Sequence, residues 1–319
     1  MRAIPLLSLL LCGWFIVPAQ ADDAQDWLTR LGQAEQQQSF KGTFVYERNG
    51  SFSTHNIWHR VQDGKVRERL IQLDGSAQEV VRIDGHTQCV SGTLIAGLGD
   101  SPNSAARALD PQKLKNWYDL AVIGKSRVAG RPAVIVSLTP RDQHRYGFEL
   151  HLDKETGLPL KSLLLDDKGR LLERFQFTQL DTADVPSESD LQASNDCKPV
   201  NLESDKASAV KTAQVWHSDW LPPGFELTSS TARKDPETKT QVNSLLYDDG
   251  LARFSVFLEP LNGATVTDTR TQLGPTVAVS RRLTTAQGEM MVTVVGEIPV
   301  GTAERIALSM RTDAAATKQ

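Results

Sequence analysis

The sequence predicts an α+β protein: a strongly curved antiparallel sheet with helices laid against its concave side, followed by a smaller α+β domain. Three observations carry this expectation. Tight-turn dipeptides recur between short alternating segments, apolar residues fall at helical spacing near both ends, and one long stretch between them loses all periodicity.

The chain opens with Met1-Arg2, an apolar run from Ile4 to Val17, and Pro18-Ala19-Gln20-Ala21 before Asp22-Asp23. One positive charge, a short apolar core and a small-x-small site predict a secretory leader over residues 1–21, cut after Ala21. The run is well short of the roughly 20 residues that span a bilayer, so an anchor is the weaker expectation. Cys12 follows the bulky Leu11, which argues against lipidation.

Past the leader, Trp27, Leu31 and Ala34 share one face of a first helix. Strands are then expected over Phe40 to Arg48, Phe52 to Arg60 and Lys65 to Leu73, joined by Asn49-Gly50 and Asp63-Gly64, which supply the positive φ of tight hairpins. Asp74-Gly75 and Asp84-Gly85 continue the series. From Gly92 to Ala108 the chain is small, polar and unpatterned, the composition of a flap or of an ordinary surface loop. Asp110-Pro111 then starts a short helix carrying Leu114, Trp117 and Tyr118.

Four further strands are expected over Arg131 to Thr139, Arg145 to Asp153, Leu158 to Asp166 and Arg170 to Thr178. These complete a first domain over residues 22–180. Residues 181–214, rich in Ser, Asp, Ala and Lys, have the composition of a linker. A second domain over 215–312 begins near Trp216. Its strands lie near Gln241 to Tyr247, Leu251 to Glu259, Thr276 to Leu283 and Met290 to Glu297, and a closing helix carries Ala303, Ile306, Ala307 and Met310. Residues 313–319 are expected to be a disordered tail.

Catalytic patterns are missing from the sequence. There is no G-x-S-x-G elbow and no catalytic-cysteine signature, so no catalytic residue is nominated and the chain is not expected to be an enzyme. His55 and His59 are four apart, but in a strand that separates them by roughly 13 Å, so a shared metal is not expected and partly exposed sheet histidines are. Asp166-Asp167 and Asp248-Asp249 precede turns, and Gly97-Leu98-Gly99 completes no dinucleotide fingerprint. No cofactor and no metal are expected. Loss of the leader moves the formal net charge from −4 to −5, which makes nucleic acid an improbable partner. Cys89 and Cys197 are free to pair in an oxidising compartment or to stay as separate thiols, and spacing alone does not choose.

What remains are large apolar side chains: Phe44, Trp58, Leu70, Leu73, Val81, Phe148, Leu150, Leu163 and Phe175 in the sheet, and Trp117 beside it. They are either core under the helices, which periodicity favours, or the lining of a cavity that takes an acyl chain. Arg127, Arg131, Arg141, His144 and Arg145 cluster near one end of two expected strands, facing a phosphate head group or forming a solvated rim.

The blocks Gly42-Thr43-Phe44-Val45-Tyr46-Glu47, Tyr146-Gly147-Phe148-Glu149-Leu150-His151-Leu152-Asp153, Thr156-Gly157-Leu158-Pro159-Leu160 and Trp220-Leu221-Pro222-Pro223-Gly224-Phe225 resemble the MucB/RseB family over essentially the whole mature chain. The resemblance implies a first domain similar to the lipoprotein carriers LolA and LolB, a half-barrel that holds acyl chains, and so turns the balance toward a lipid cavity. It implies a soluble periplasmic regulator of a sigma factor. Such a protein binds the periplasmic part of a membrane-anchored anti-sigma factor (MucA or RseA), shields it from proteolysis and restrains the envelope-stress and alginate responses. Release by a lipid or lipopolysaccharide signal is part of the same expectation, and a lipid or lipoprotein carrier is the alternative. The family offers no short binding motif to transfer, so Arg281 and Arg282 of the second domain are nominated for the partner contact without a motif behind them, and self-association is left open.

Overall fold

The computed structural model describes residues 19–76, 78–92, 109–200, 216–234, 240–285 and 288–312. The expected leader lies almost wholly outside them. So do residues 93–108 of the flap or loop, residues 201–214 of the expected linker, residue 215, and the tail.

The first domain begins with α1 (Ala19–Gln37), followed by β1 (Phe40–Arg48), β2 (Ser51–Gln62), β3 (Lys65–Gln72), β4 (Gln78–Ile83) and β5 (His86–Ser91). After α2 (Pro111–Leu114) come β6 (Tyr118–Val128), β7 (Arg131–Pro140), β8 (Gly147–Asp153), β9 (Pro159–Leu165), β10 (Leu171–Asp181) and the two-residue β11 (Lys198–Pro199). They form one sheet in the order β11-β5-β4-β3-β2-β1-β10-β9-β8-β7-β6, with every neighbour antiparallel. The Asn49-Gly50 turn between β1 and β2 has both residues at positive φ, the geometry its sequence predicts.

Curvature follows from two contacts. Cα atoms of β6 and β10 approach within 8 Å, although they stand four places apart in the sheet, about 19 Å if it were flat. One face also packs on α1 from both sides. Ala24, Leu28 and Leu31 meet Leu120, Val134, Val136, Leu138 and Leu152, while Ala34 belongs to a second cluster with Phe40, Phe44, Leu70, Val80 and Phe177. That face is the inner one, and the helix sits in the bend.

Two expectations are corrected here, and one left open is resolved. The helix after Pro111 stops at Leu114, capped by the Asp110 carboxylate, and Tyr118 opens an eleven-residue strand instead. A register shift between Val122 and Gly124 breaks the alternation of β6, which hid the strand. Residues 182–200 do not hang free as a linker. They lie against the outer face, with Leu191 buried, Glu188 paired to Arg60 and Arg67, Ser194 bonded to the buried Glu79, and Val200 N–H bonded to Gln88 O. Cys89 and Cys197 are joined by a disulfide that closes the same attachment.

The second domain contains β12 (Trp216–Ser218), β13 (Glu226–Lys234), β14 (Gln241–Asp248), β15 (Arg253–Pro260), β16 (Thr269–Leu273), β17 (Thr276–Thr285), β18 (Gly288–Gly296), α3 (Val300–Ser309) and β19 (Met310–Thr312). Six strands form a sheet in the order β13-β14-β15-β18-β17-β16, and α3 packs across β17 and β18. Val256, Val277, Val279, Val292, Val294, Ile298, Ile306 and Met310 are fully shielded between them. β12 pairs with β19, which ties the two ends of the domain together. No helix among the described residues is long and apolar enough to cross a membrane.

Candidate functional site

Strand register assembles the inner face from its rows. Ser53, Tyr46, Phe175, Ser162, Leu150, Val136 and Val122 lie opposite one another in turn across β2, β1, β10, β9, β8, β7 and β6. Val136 is buried beneath α1, but Ser53, Tyr46, Phe175, Ser162 and Leu150 are only half-buried. The helix fills one side of the bend and leaves a half-buried strip over β1, β10, β9 and β8. Three aromatic rings floor its deeper side: Phe44 lies 4.7 Å from Phe175 and 5.9 Å from Phe177, centroid to centroid.

Of the nominated cavity residues, Phe44, Leu70, Phe148, Leu150 and Phe175 belong to this face. Trp58, Val81 and Leu163 do not. Trp58 stands opposite Lys41 and Arg69 on the outer face, under the guanidinium of Arg69. Val81 is buried on that side opposite Cys89, and Leu163 lies opposite Arg174 and Glu149. Leu73 is exposed past the end of β3. Trp117 packs at the boundary between the domains.

Both strand histidines are buried, at 2% and 4% exposure, rather than partly exposed as the sequence suggested. Each lies on the inner face, stacked on a phenylalanine of β1: His59 on Phe40 at 4.7 Å and His55 on Phe44 at 5.0 Å. His59 is satisfied at both ring nitrogens, Nδ1 by Glu68 at 2.9 Å and Nε2 by the Glu35 carbonyl at 3.0 Å, so it fastens the end of α1 to the sheet. His55 meets only Ser53, at Nε2, and burial lowers its pKa.

The domain boundary is built around Arg145, which is wholly buried. Its guanidinium donates to Asp142, to the Pro223 carbonyl at 2.6 Å and to Asp249 at 2.6 Å, and is enclosed by Trp117, Tyr118 and Phe225. Burial raises the Asp249 pKa, against the hydrogen bonds from Leu251 and Ala252 N–H and the charge of Arg145. Gly224 presses on the Trp117 ring. Tyr146 donates to the Ile298 carbonyl, His144 bonds Thr302, and Arg48 reaches Thr276 and Glu297.

The basic cluster is thereby dispersed. Arg127 caps its own turn at Gly130 O, Arg131 pairs with Asp153 and Glu155, Arg141 with Asp119, and His144 and Arg145 serve the boundary. Arg281 is held within its domain by Asp268 and Glu304, while Arg282 is more than half exposed. No cluster of three metal-ligating side chains occurs among the described residues. Ser126, His151 and Glu149 do form a hydrogen-bonded line, with Nδ1 2.6 Å from Ser126 and Nε2 2.8 Å from Glu149, yet all three sit within strands and His151 is buried.

Two domains of this architecture, sharing a polar boundary, match two family models in sequence: the MucB/RseB N-terminal domain over residues 23–195 and the MucB/RseB C-terminal domain over 210–311. This chain belongs to the MucB/RseB family. It is 63% identical over its whole length to the sigma factor AlgU regulatory protein MucB of Pseudomonas aeruginosa, whose full length is also covered. It is 30% identical to the sigma-E factor regulatory protein RseB of Haemophilus influenzae, over 96% of this chain and 98% of that one. The solved complex of Pseudomonas aeruginosa MucA and MucB superposes with a TM-score of 0.81 at 63% identity, covering 92% of this chain and all of the matched chain. The MucB/RseB family is thus one of sigma-factor regulatory proteins. The first family model runs to residue 195, so it takes in much of the segment that composition marks as linker but the structure packs on the first sheet.

Proposed function

We propose that this protein is a periplasmic negative regulator of a sigma factor. It binds the periplasmic part of a MucA- or RseA-like anti-sigma factor, shields it from regulated proteolysis, and is released when a lipid or lipopolysaccharide fragment enters the first domain. The observation that carries the proposal is full-length similarity, at 63% identity, to the Pseudomonas aeruginosa MucB, which is solved in complex with MucA. The expected leader supports a periplasmic address. The half-buried strip on the inner face, floored by Phe44, Phe175 and Phe177, supports a lipid site, and Arg282 remains the basic side chain proposed for the partner. The regulatory role requires no catalysis.

Lipid and anti-sigma factor oppose each other if they favour different arrangements of the two domains, and each then weakens the other by the same factor. Titration calorimetry of the mature protein with the periplasmic segment of the anti-sigma factor should show saturable binding that weakens as lipid is added. Absence of binding would remove the proposal. The alternative, a lipid carrier, predicts net transfer of bound lipid to an acceptor rather than exchange.

A further inference from the structure

His55 and His59 are built to the same plan, on one strand face, each stacked on a β1 phenylalanine. Only His59 is completed. Among the described residues, His55 Nδ1 has no hydrogen-bond partner, although the side chain is 2% exposed. Leaving a buried ring nitrogen unpaired is costly, and native structures seldom do so without a reason. Its position supplies one. Ser53, which bonds its Nε2, and Phe44, on which it stacks, border the half-buried strip of Tyr46, Phe175, Ser162 and Leu150.

We propose that His55 is the polar anchor of a lipid site over the half-buried inner-face strip, and that the ligand it takes is a neutral amphiphile carrying a hydroxyl beside its acyl chain. The inference rests on the lipid reading of the first domain and names the chemistry recognised there. Apolar contact with Phe175, Leu150 and Phe148 accounts for the chain, and Nδ1 accounts for one polar group. A hydroxyl fits best, for two reasons. Burial keeps the imidazole neutral, so an anionic head gains no charge partner. The Ser53 hydroxyl either donates to Nε2 or accepts from it, which leaves Nδ1 as donor or acceptor in turn, and a hydroxyl satisfies both.

The test uses the full mature chain and displacement of a fluorescent naphthylamine dye. Monolauroyl glycerol should displace the dye about tenfold more tightly than methyl laurate, the difference made by one hydrogen bond to a group otherwise left unpaired. His55→Phe keeps the stack on Phe44 and should abolish that preference while leaving methyl laurate unchanged. His55→Gln, which retains a donor and an acceptor, should keep part of it. In the unsubstituted protein, the Nδ1 nitrogen resonance should move with the glycerol ester and stay still with the methyl ester. Equal affinity of the two esters in the unsubstituted chain, with a static Nδ1 resonance, overturns the anchor alone and leaves water as its partner. Failure of both esters to displace the dye removes the lipid reading, and the anchor with it.

Discussion

The Arg145 guanidinium of the first domain lies 2.6 Å from the Asp249 carboxylate of the second, and neither side chain is exposed to solvent. A buried charge pair repays its desolvation only when its remaining donors and acceptors are also used. Here most of them are: Asp142 and Pro223 O take three further guanidinium protons, and Leu251 and Ala252 N–H reach the other Asp249 oxygen. Arg145→Ala should therefore cost about 3–5 kcal/mol in urea unfolding, because it leaves Asp249 buried and alone. Arg145→Met with Asp249→Leu should cost markedly less than Arg145→Ala alone. A double variant as unstable as the single one contradicts this account.

Gly224 adopts φ +88°, and a Cβ there would stand 2.2 Å from the Trp117 ring. Gly224→Ala should separate the two surfaces, with a loss of about 2 kcal/mol or more from backbone strain and overlap together. The Trp117 environment reports it directly. Indole emission that neither shifts nor changes quenching would show that the boundary absorbs the methyl group.

The Cys89–Cys197 disulfide spans 108 residues of sequence. Loop-closure entropy for a ring of that size predicts a stabilisation of about 4–5 kcal/mol. Comparing thermal unfolding of the chain with and without dithiothreitol, and of the Cys89→Ser/Cys197→Ser variant, measures it. Superimposable transitions would mean that the ion pairs of residues 182–200 do the holding alone.

Glu79 is pushed up by burial but held below the ordinary glutamate range overall, by hydrogen bonds from Ser194 and Arg69. A lowered folded-state pKa gives stability that is complete above the unfolded value and lost as pH falls through the folded one. Protease cleavage within 182–200 should consequently rise as the medium is acidified below about pH 4.5. In Glu79→Gln it should be raised already at neutral pH. A cleavage rate flat with pH would assign the attachment to Leu191 and the disulfide.

Phe175 and Trp58 were nominated together and lie on opposite faces. Phe175→Ala should weaken dye binding at the strip about tenfold, the worth of a large apolar contact of about 1.5 kcal/mol. Trp58→Ala should leave dye binding unchanged while loosening the packing around Arg69. Equal effects would place the dye elsewhere.

Local chemistry made the hairpins legible: Asn49-Gly50, Asp63-Gly64 and Asp84-Gly85 all take the positive φ their side chains tolerate. The β6–β7 turn uses Ala129 at φ 49°, with no such signal, and a bulge at its strand erased the alternation. Face assignment failed where apolar residues are adjacent. Ile57 and Trp58, or Leu163 and Leu164, satisfy either parity, and only pairing with distant strands decides between them. Arg145 was invisible as a buried residue for a related reason, since its partner lies 104 positions away. The half-buried strip is a property of five strands in register, so no window of sequence contains it.

The fastening of residues 182–200 also fixes how far the two domains can part. Val200 is held at β5, at one end of the strand order, whereas Arg145 meets the second domain from between β7 and β8 near the other end. Between Val200 and Trp216 the chain has 15 residues, a reach of at most about 58 Å. A tether of that length keeps a detached domain at an effective concentration on the order of millimolar. Opening the Arg145 boundary is then a reversible, intramolecular event whose reclosure is independent of how dilute the protein is.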